Sequence, residues 1–466
     1  LDGTVRVDAK GTGASDGISL SGGDGNHTYA VPRSGFSGAM IGNGGYKTSS
    51  TVGGATYVSV QNGGLLMSAG DGYYSNTTIG HASLANGGAM TGLIDVNVLN
   101  GNILLEAASK DLFTFSQIGH GGWESRNHGG NIDVKASQGD ITIRSGNAGT
   151  FNYAKVGHGG YGNGSTQINT GTINVEATAG AVELNSRNGS SAFTQIGHGG
   201  LGKGGFMKGE FRDAVVVTAG TQVKLGAGNN QDAFAMIGHG GTNVRGIFTG
   251  AVDVNAGAGG LILTGGSTRA FAQVGHGGYN EAGALGVYTI TAAPITIDAG
   301  LIDLKGGGTS AYAQIGHGGA YVNGSSGTGS AVDSAILVKT SGTAATDGIH
   351  LKGGTGSDSY AMIGSGGREG SFDVLGNVTV TSAGGGISLE GTTSNAFAMI
   401  GNGGHSVAGA LSGTTTVTSN GGGSADGISL KGGFGTYSYA NIGHATNNVT
   451  GSMLNSDTIV KILGGG

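Results

Sequence analysis

The chain has 466 residues, of which 105 are glycine, 2 are proline and none is cysteine; charged residues make up 11% and the formal net charge is −6. So little charge excludes a self-repelling disordered chain, the lack of a three-residue glycine period excludes collagen, and without a thiol there is neither a disulfide staple nor a thiolate metal site. An apolar share of 37% is low for one round core of this size, but it suffices in a repeat array, where each inward side chain is shared with the units above and below.

Alternating strand pattern is already present at Val5 and Val7 and persists to Ile459 and Ile462, so residues 1–466 read as one repeat solenoid, a fragment of something longer. No signal-peptide pattern opens it, and no apolar run is long enough to insert in a membrane. The repeat is marked by a phrase whose full form is Ile-Gly-His-Gly-Gly. Its Ile or Val falls at Ile41, Ile79, Ile118, Val156, Ile196, Ile237, Val274, Ile315, Ile363, Ile400 and Ile442, at intervals of 37 to 48 residues.

Each repeat carries three strand-like segments of period two. In one copy they are Ile173, Val175 and Ala177, then Val182 and Leu184 after the turn Thr178-Ala179-Gly180, then Ala192 to Ile196. The same order recurs with Val215, Val217, Val223 and Leu225, with Val252, Val254, Leu261 and Leu263, and with Ile295, Ile297, Ile302 and Leu304. About ten residues remain for a loop after the Gly-Gly, and the longest interval carries its excess there, at 323–330. The expected fold is all-β, a right-handed parallel β-helix of about eleven coils with three strands per coil, one coil or two thinner ones per repeat.

The third strand is the most unusual. Two residues before the Ile the side chain is always small (Ala154, Thr194, Ala235, Ala272), and three before it an aromatic stands in nine copies: Phe115, Tyr153, Phe193, Phe234, Phe271, Tyr312, Tyr360, Phe397 and Tyr439. Alternation puts the aromatic on the same face as the residue just before the Ile, which is Met, Gln, Thr, Lys or Asn. A dry interior rarely accepts such residues, so the column is expected on the outer face, as a candidate surface-binding ladder for a sugar polymer or another copy of the chain. The competing reading is a second small core under a folded-back loop, because long exposed apolar stripes are rare. Free exchange of Phe and Tyr implies a ring edge in solvent.

A histidine column follows: His81, His120, His158, His198, His239, His276, His317 and His444, with Asn43, Ser365 and Asn402 at the same position in other copies. Asn and Ser can replace His as a hydrogen-bonding group but not as a base or soft-metal ligand. His120, His158, His198, His239, His276 and His317 are therefore expected to form a structural turn ladder without metal. The Gly pairs, such as Gly121-Gly122, Gly199-Gly200 and Gly318-Gly319, suit positive φ and close approach between stacked turns. They are not a phosphate loop, since no Lys-Ser/Thr follows, and Gly22-Gly23-Asp24-Gly25-Asn26 is an isolated lookalike of a calcium repeat. No cofactor is implied. Paired carboxylates do not recur, and Asp95, Asp133 and Asp253 alternate with inward residues as solubilising groups, so no catalytic residue is expected. The acidic balance argues against nucleic acid.

The phrases Ala311 to Gly319 and Ala233 to Gly241, each preceded by paired aliphatic strands, resemble the repeat regions of large bacterial exoproteins of the filamentous haemagglutinin type. The resemblance covers nearly the whole chain but is one of repeat style. It implies a right-handed β-helix, export by two-partner secretion through an outer-membrane transporter of a Gram-negative bacterium, and a secreted or cell-surface role as an adhesin or biofilm-matrix protein. The secretion-signal domain that opens such proteins is not recognisable here. The leading expectation is a non-catalytic extracellular structural and adhesive rod, with polysaccharide or other copies of itself as partners. A polysaccharide-processing β-helix enzyme and a self-assembling extracellular filament subunit are the alternatives.

Overall fold

A computed structural model describes residues 2–463 apart from 12, 14–16, 24–37, 45–49, 82–86, 110–112, 125, 163–165, 203–205, 281–287, 323–330, 345, 422–426 and 445–446. The 323–330 insertion and most of the calcium-repeat lookalike lie outside the described residues. Among those described there is no helix, and the paired strands run parallel, a β-solenoid of the parallel β-helix kind.

Contacts gather into two units, Leu1–Gly220 with Ala227–Gly240, and Thr221–Gly226 with Gly241–Gly466. In the first unit the first-strand sheet stacks Val5–Ala9, Thr56–Asn62, Ile94–Asn100, Ile132–Ala136, Ile173–Ala177 and Val215–Ala219 in chain order. The second unit repeats the arrangement from Val252–Ala256 to Thr458–Ile462. Partners stand one full repeat apart: Ile132 pairs with Ile173 and Ile173 with Val215. On the third strand, Ile196 lies between Val156 and Ile237. Neighbouring rungs therefore come from successive repeats.

β-Branched and aliphatic residues fill the columns because each inward side chain packs on its counterpart one rung away. Ile173, Val175, Ala177, Val182, Leu184, Thr194 and Ile196 are all fully buried, making a first interior between the three strands. The segment after the Gly-Gly holds more structure than a loop. It forms short strands of its own, Gly199–Gly202 and Met207–Phe211 in one coil, Gly318–Ala320 and Ala331–Asp333 in another. These add two sheets to the three expected. All four residues of the third strand Phe193–Ile196 are buried, as they are in Tyr153–Val156 and Tyr360–Ile363, so the third sheet separates two interiors.

Replacing Ile196 by Asp would place an unpaired carboxylate between Val156 and Ile237. The expected loss is about 3–5 kcal/mol in denaturant unfolding, and a loss below about 1 kcal/mol would contradict the burial described here.

Candidate functional site

The ring column is not an open surface ladder but the covered second core, the competing reading of the sequence. Phe115, Tyr153, Phe193, Phe234, Phe271, Tyr312, Tyr360 and Phe397 are at most 1% exposed, and Tyr439, just before the last third strand Ala440–Ile442, is half-buried. The rings stack nearly parallel, Phe115–Tyr153–Phe193–Phe234 at 4.9, 4.7 and 4.8 Å in the first unit. In the second unit Phe271–Tyr312–Tyr360–Phe397–Tyr439 stack at 5.0, 4.7, 4.8 and 5.0 Å. What covers them is the Gly-Gly strand. A Cβ on Gly200 would stand 3.0 Å from Phe193 Cζ, and one on Gly319 2.6 Å from the Tyr312 hydroxyl. The second glycine of the pair thus lies against the ring of its own coil, and the column is core.

Polar residues accompany the rings inside because their hydrogen bonds are met. Gln195 Nε2 donates to the carbonyls of His198, Gly238 and Gly240 at 3.2, 3.0 and 3.1 Å. Gln117, Gln273 and Gln314 make the equivalent bonds. Lys155 occupies the same position, donating to the carbonyls of His158 and Gly199 at 3.0 and 2.7 Å, and burial holds its amine well below the usual lysine range. Three of the four tyrosines stand one coil after a Gln, while Tyr439 follows Met399. Tyr312 donates to Gln273 Oε1 and Tyr360 to Gln314 Oε1, both at 3.2 Å, and Tyr153 reaches toward Gln117 Oε1 at 3.5 Å. Phe193 follows Lys155 and Phe397 follows Met362. Gln195 is followed by Phe234, and its Oε1 has no partner. For Tyr153, Tyr312 and Tyr360 the hydroxyl therefore marks a buried partner and not solvent.

From His81 to His239 the histidines form a column with two bonds per ring. His81, His120 and His158 each donate a backbone N–H to Nδ1 of the histidine one coil on, at 3.0, 3.0 and 3.1 Å, and His198 and His276 continue the pattern at 3.0 Å. An acceptor at Nδ1 fixes the proton on Nε2. Nε2 then donates to a carbonyl at the start of the same coil: Gly92 for His120, Gly130 for His158, Gly171 for His198, Asp213 for His239, Gly250 for His276 and Ala293 for His317, at 2.7 to 2.9 Å. Rings from His81 to His239 stack at 4.6 to 4.9 Å. Where Asn stands instead it makes both bonds: Asn402 Oδ1 accepts from Ser365 N–H and its Nδ2 donates to Gly376 O. Burial, then His81, pushes His120 down to about 3, and burial pushes His276 down to about 4. Among the described residues no group of three or more His, Asp or Glu is placed to hold a metal ion.

Several constellations depend on register and were not visible as spacing. Five residues before the marker Ile, every coil from Tyr74 to Tyr437 holds a non-glycine residue at positive φ, including Tyr74, Phe113 and Phe151 at 59°, 63° and 63°. An aromatic ring costs about 1 kcal/mol or more there. Ring contact offsets it, since Tyr74 stacks on Phe113 at 5.1 Å, Phe113 on Phe151 at 5.2 Å, and Trp123 on Tyr74 at 4.3 Å. With Tyr73 and Tyr161 these make an aromatic seam in the first unit, where the Gly-Gly strand meets the turn before the third strand. Tyr73, Tyr74, Trp123 and Phe151 are half-buried. The equivalent seam in the second unit is ionic: Arg368 reaches Glu369 at 2.6 Å and Asp358 at 3.4 Å over the Tyr321 ring.

Two outward pairs also emerge. Asp95 and Asp133 face each other in adjacent rungs, and burial, then Asp133, raises the Asp95 carboxyl. His350 Nδ1 lies 2.9 Å from Ser388 Oγ with Asp303 next in the column, but the Asp303 carboxylate is bound by Lys305 at 2.6 Å.

Phe234→Tyr should give Gln195 Oε1 its missing donor and raise stability by about 1 kcal/mol. Tyr360→Phe should lower it by about 1–2 kcal/mol by orphaning Gln314. Equilibrium denaturation of both variants checks the pairing, and a destabilised Phe234→Tyr would sink it.

No protein-family model, curated protein or solved structure matches the chain.

Proposed function

We propose that the chain is the non-catalytic shaft of an extracellular bacterial adhesin or biofilm-matrix protein, exported through an outer-membrane transporter, and that it touches polysaccharide through the aromatic seam around Trp123. The observation that carries this reading is how the recurring chemistry is used. The rings, amides and imidazoles that repeat at fixed positions are buried and spent on bonds from coil to coil. Such a molecule invests in length and in holding neighbours together.

The half-buried seam of Tyr73, Tyr74, Trp123 and Phe151 replaces the fully buried column as the contact surface. Aromatic rings with a polar handle favour the apolar faces of sugar rings, and Glu124 beside them supplies an acceptor for hydroxyls. Each contact is weak, so useful adhesion requires many shafts or many contacts on one polymer.

Trp123 is the single tryptophan of the chain, so its emission reports on this seam alone. Titration with soluble matrix polysaccharides is expected to shift that emission, and Trp123→Ala to weaken binding by about tenfold without unfolding the chain. Binding that leaves the emission and the Trp123→Ala affinity unchanged would remove the seam from the proposal. Release of new reducing ends during incubation would replace the shaft with a polysaccharide-cutting enzyme.

A further inference from the structure

We propose that the histidine column is an acid-triggered release: coils fastened by His let go as the pH falls below about 6, while coils fastened by Ser or Asn at the same position hold. The argument rests on the direction of the hydrogen bonds. From His120 to His239 each Nδ1 accepts a backbone N–H of the preceding coil at 3.0 to 3.1 Å. A second proton on the ring can only go to Nδ1, where it would face that N–H. Each protonation therefore removes one coil-to-coil bond and sets two donors against each other.

The surroundings offer the cation little relief. Rings in the first unit stand 4.6 to 4.9 Å apart, so adjacent imidazolium ions repel. The second interior contributes Lys155 and His128, the latter with its ring 6.2 Å from His158 and its Nδ1 on Asn169 Oδ1 at 2.6 Å. Neither supplies a negative charge, and either one repels the cation when protonated. Two acids flank the column: Asp2, which acts on His81, and Asp213, whose carboxylate accepts from Gly171 N–H at 2.7 Å. In the second unit His276 has Phe248 stacked at 6.4 Å and His317 at 5.1 Å, and the backbone N–H of His317 donates to Ser365 Oγ at 3.3 Å.

The sign follows from linkage. A histidine that is lowered in the folded chain binds its proton only in the unfolded one, so stability is fully present above the ordinary value of about 6.5 and is lost as the pH falls from there toward the folded value. That value is about 3 for His120 and about 4 for His276, and His158 and His317 are also lowered by burial, so the window opens below about 6.5 and spans ordinary acidification. The coils bearing Ser365 and Asn402 lack a titrating group at this position, yet Asn402 makes the same two bonds. Nε2 keeps its proton and its carbonyl throughout, so the contact that is lost is the one between successive coils at the end of the third strand.

Hydrogen exchange read by mass spectrometry on the full chain, at about pH 7 and about pH 5 and corrected for intrinsic rates, tests this. Phe115–Ile118, Tyr153–Val156 and Phe193–Ile196 are expected to lose at least about tenfold more protection on acidification than Phe397–Ile400. The triple variant His120→Asn, His158→Asn, His198→Asn should keep neutral-pH protection within about threefold and abolish the extra loss. Equal losses in the His and Asn coils of the natural chain would overturn the proposal, as would undiminished acid sensitivity in the triple variant. Failure of that variant to fold at neutral pH would overturn it too, because Asn would then not be the equivalent fastener.

Discussion

The constraint on which the rest of the structure depends is the approach of backbone to backbone at the turn after the third strand. A Cβ on Gly119, Gly157 or Gly197 would stand 1.9 to 2.0 Å from a glycine carbonyl oxygen of the next coil, and all three have φ between +144° and +158°. Only glycine fits, and it fits only if each turn lies directly over the one before it. Once the turns are locked in this way, every repeat position becomes a vertical column. Each side chain then has its own counterpart one rung above and one below.

That geometry decides which chemistry can be buried. Like stacks on like, so a buried column must be made of groups that tolerate themselves: aliphatic side chains that interlock, aromatic rings offset by about 5 Å, amides that reach backbone carbonyls, and imidazoles that stay neutral. Charge goes outward, where several neighbours are opposite in sign, as in Lys352, Glu390 and Lys431 at 2.9 and 3.0 Å, or Lys135 and Glu176 at 2.9 Å. Lys155 is the informative exception. It sits where Gln117 and Gln195 sit on either side, shares their carbonyl acceptors, and burial disfavours its charge.

The amino-acid order revealed the columns but not which side of each strand was covered. The Ile and Val columns were legible because period two and β-branching point one way. The ring column was misplaced because Gln117, Gln195 and Lys155, judged one at a time, look like surface residues. Their acceptors are carbonyls of the next turn, which alternation within a strand does not reveal. The cover was legible in part, since the Gly-Gly and the aromatic recur together in most coils. Reading them as one interaction, glycine where the chain crosses the ring, would have placed Phe193 and Tyr312 inside. The seam around Trp123 was beyond reach, because Tyr74, Phe113 and Phe151 meet it only once the left-handed turn brings residues from several repeats together.

Near-identical coils raise a further difficulty, which is that a stack of repeats could slip by one whole coil and keep most of its contacts. Glycine and aliphatic columns do not prevent this, since they look the same from every rung. The polar interior does, because its bonds run in one direction. A tyrosine hydroxyl points back to the glutamine of the preceding coil, and a histidine Nδ1 accepts from the preceding backbone. Placing Tyr312 over Met236 or Phe193 over Gln117 would leave a buried hydroxyl or amide oxygen without a partner, at about 1–3 kcal/mol each. The sequence therefore carries the identity of each coil's neighbours in residues some forty positions apart, and the groups that seemed too polar for an interior are the ones that fix the order in which the coils stack.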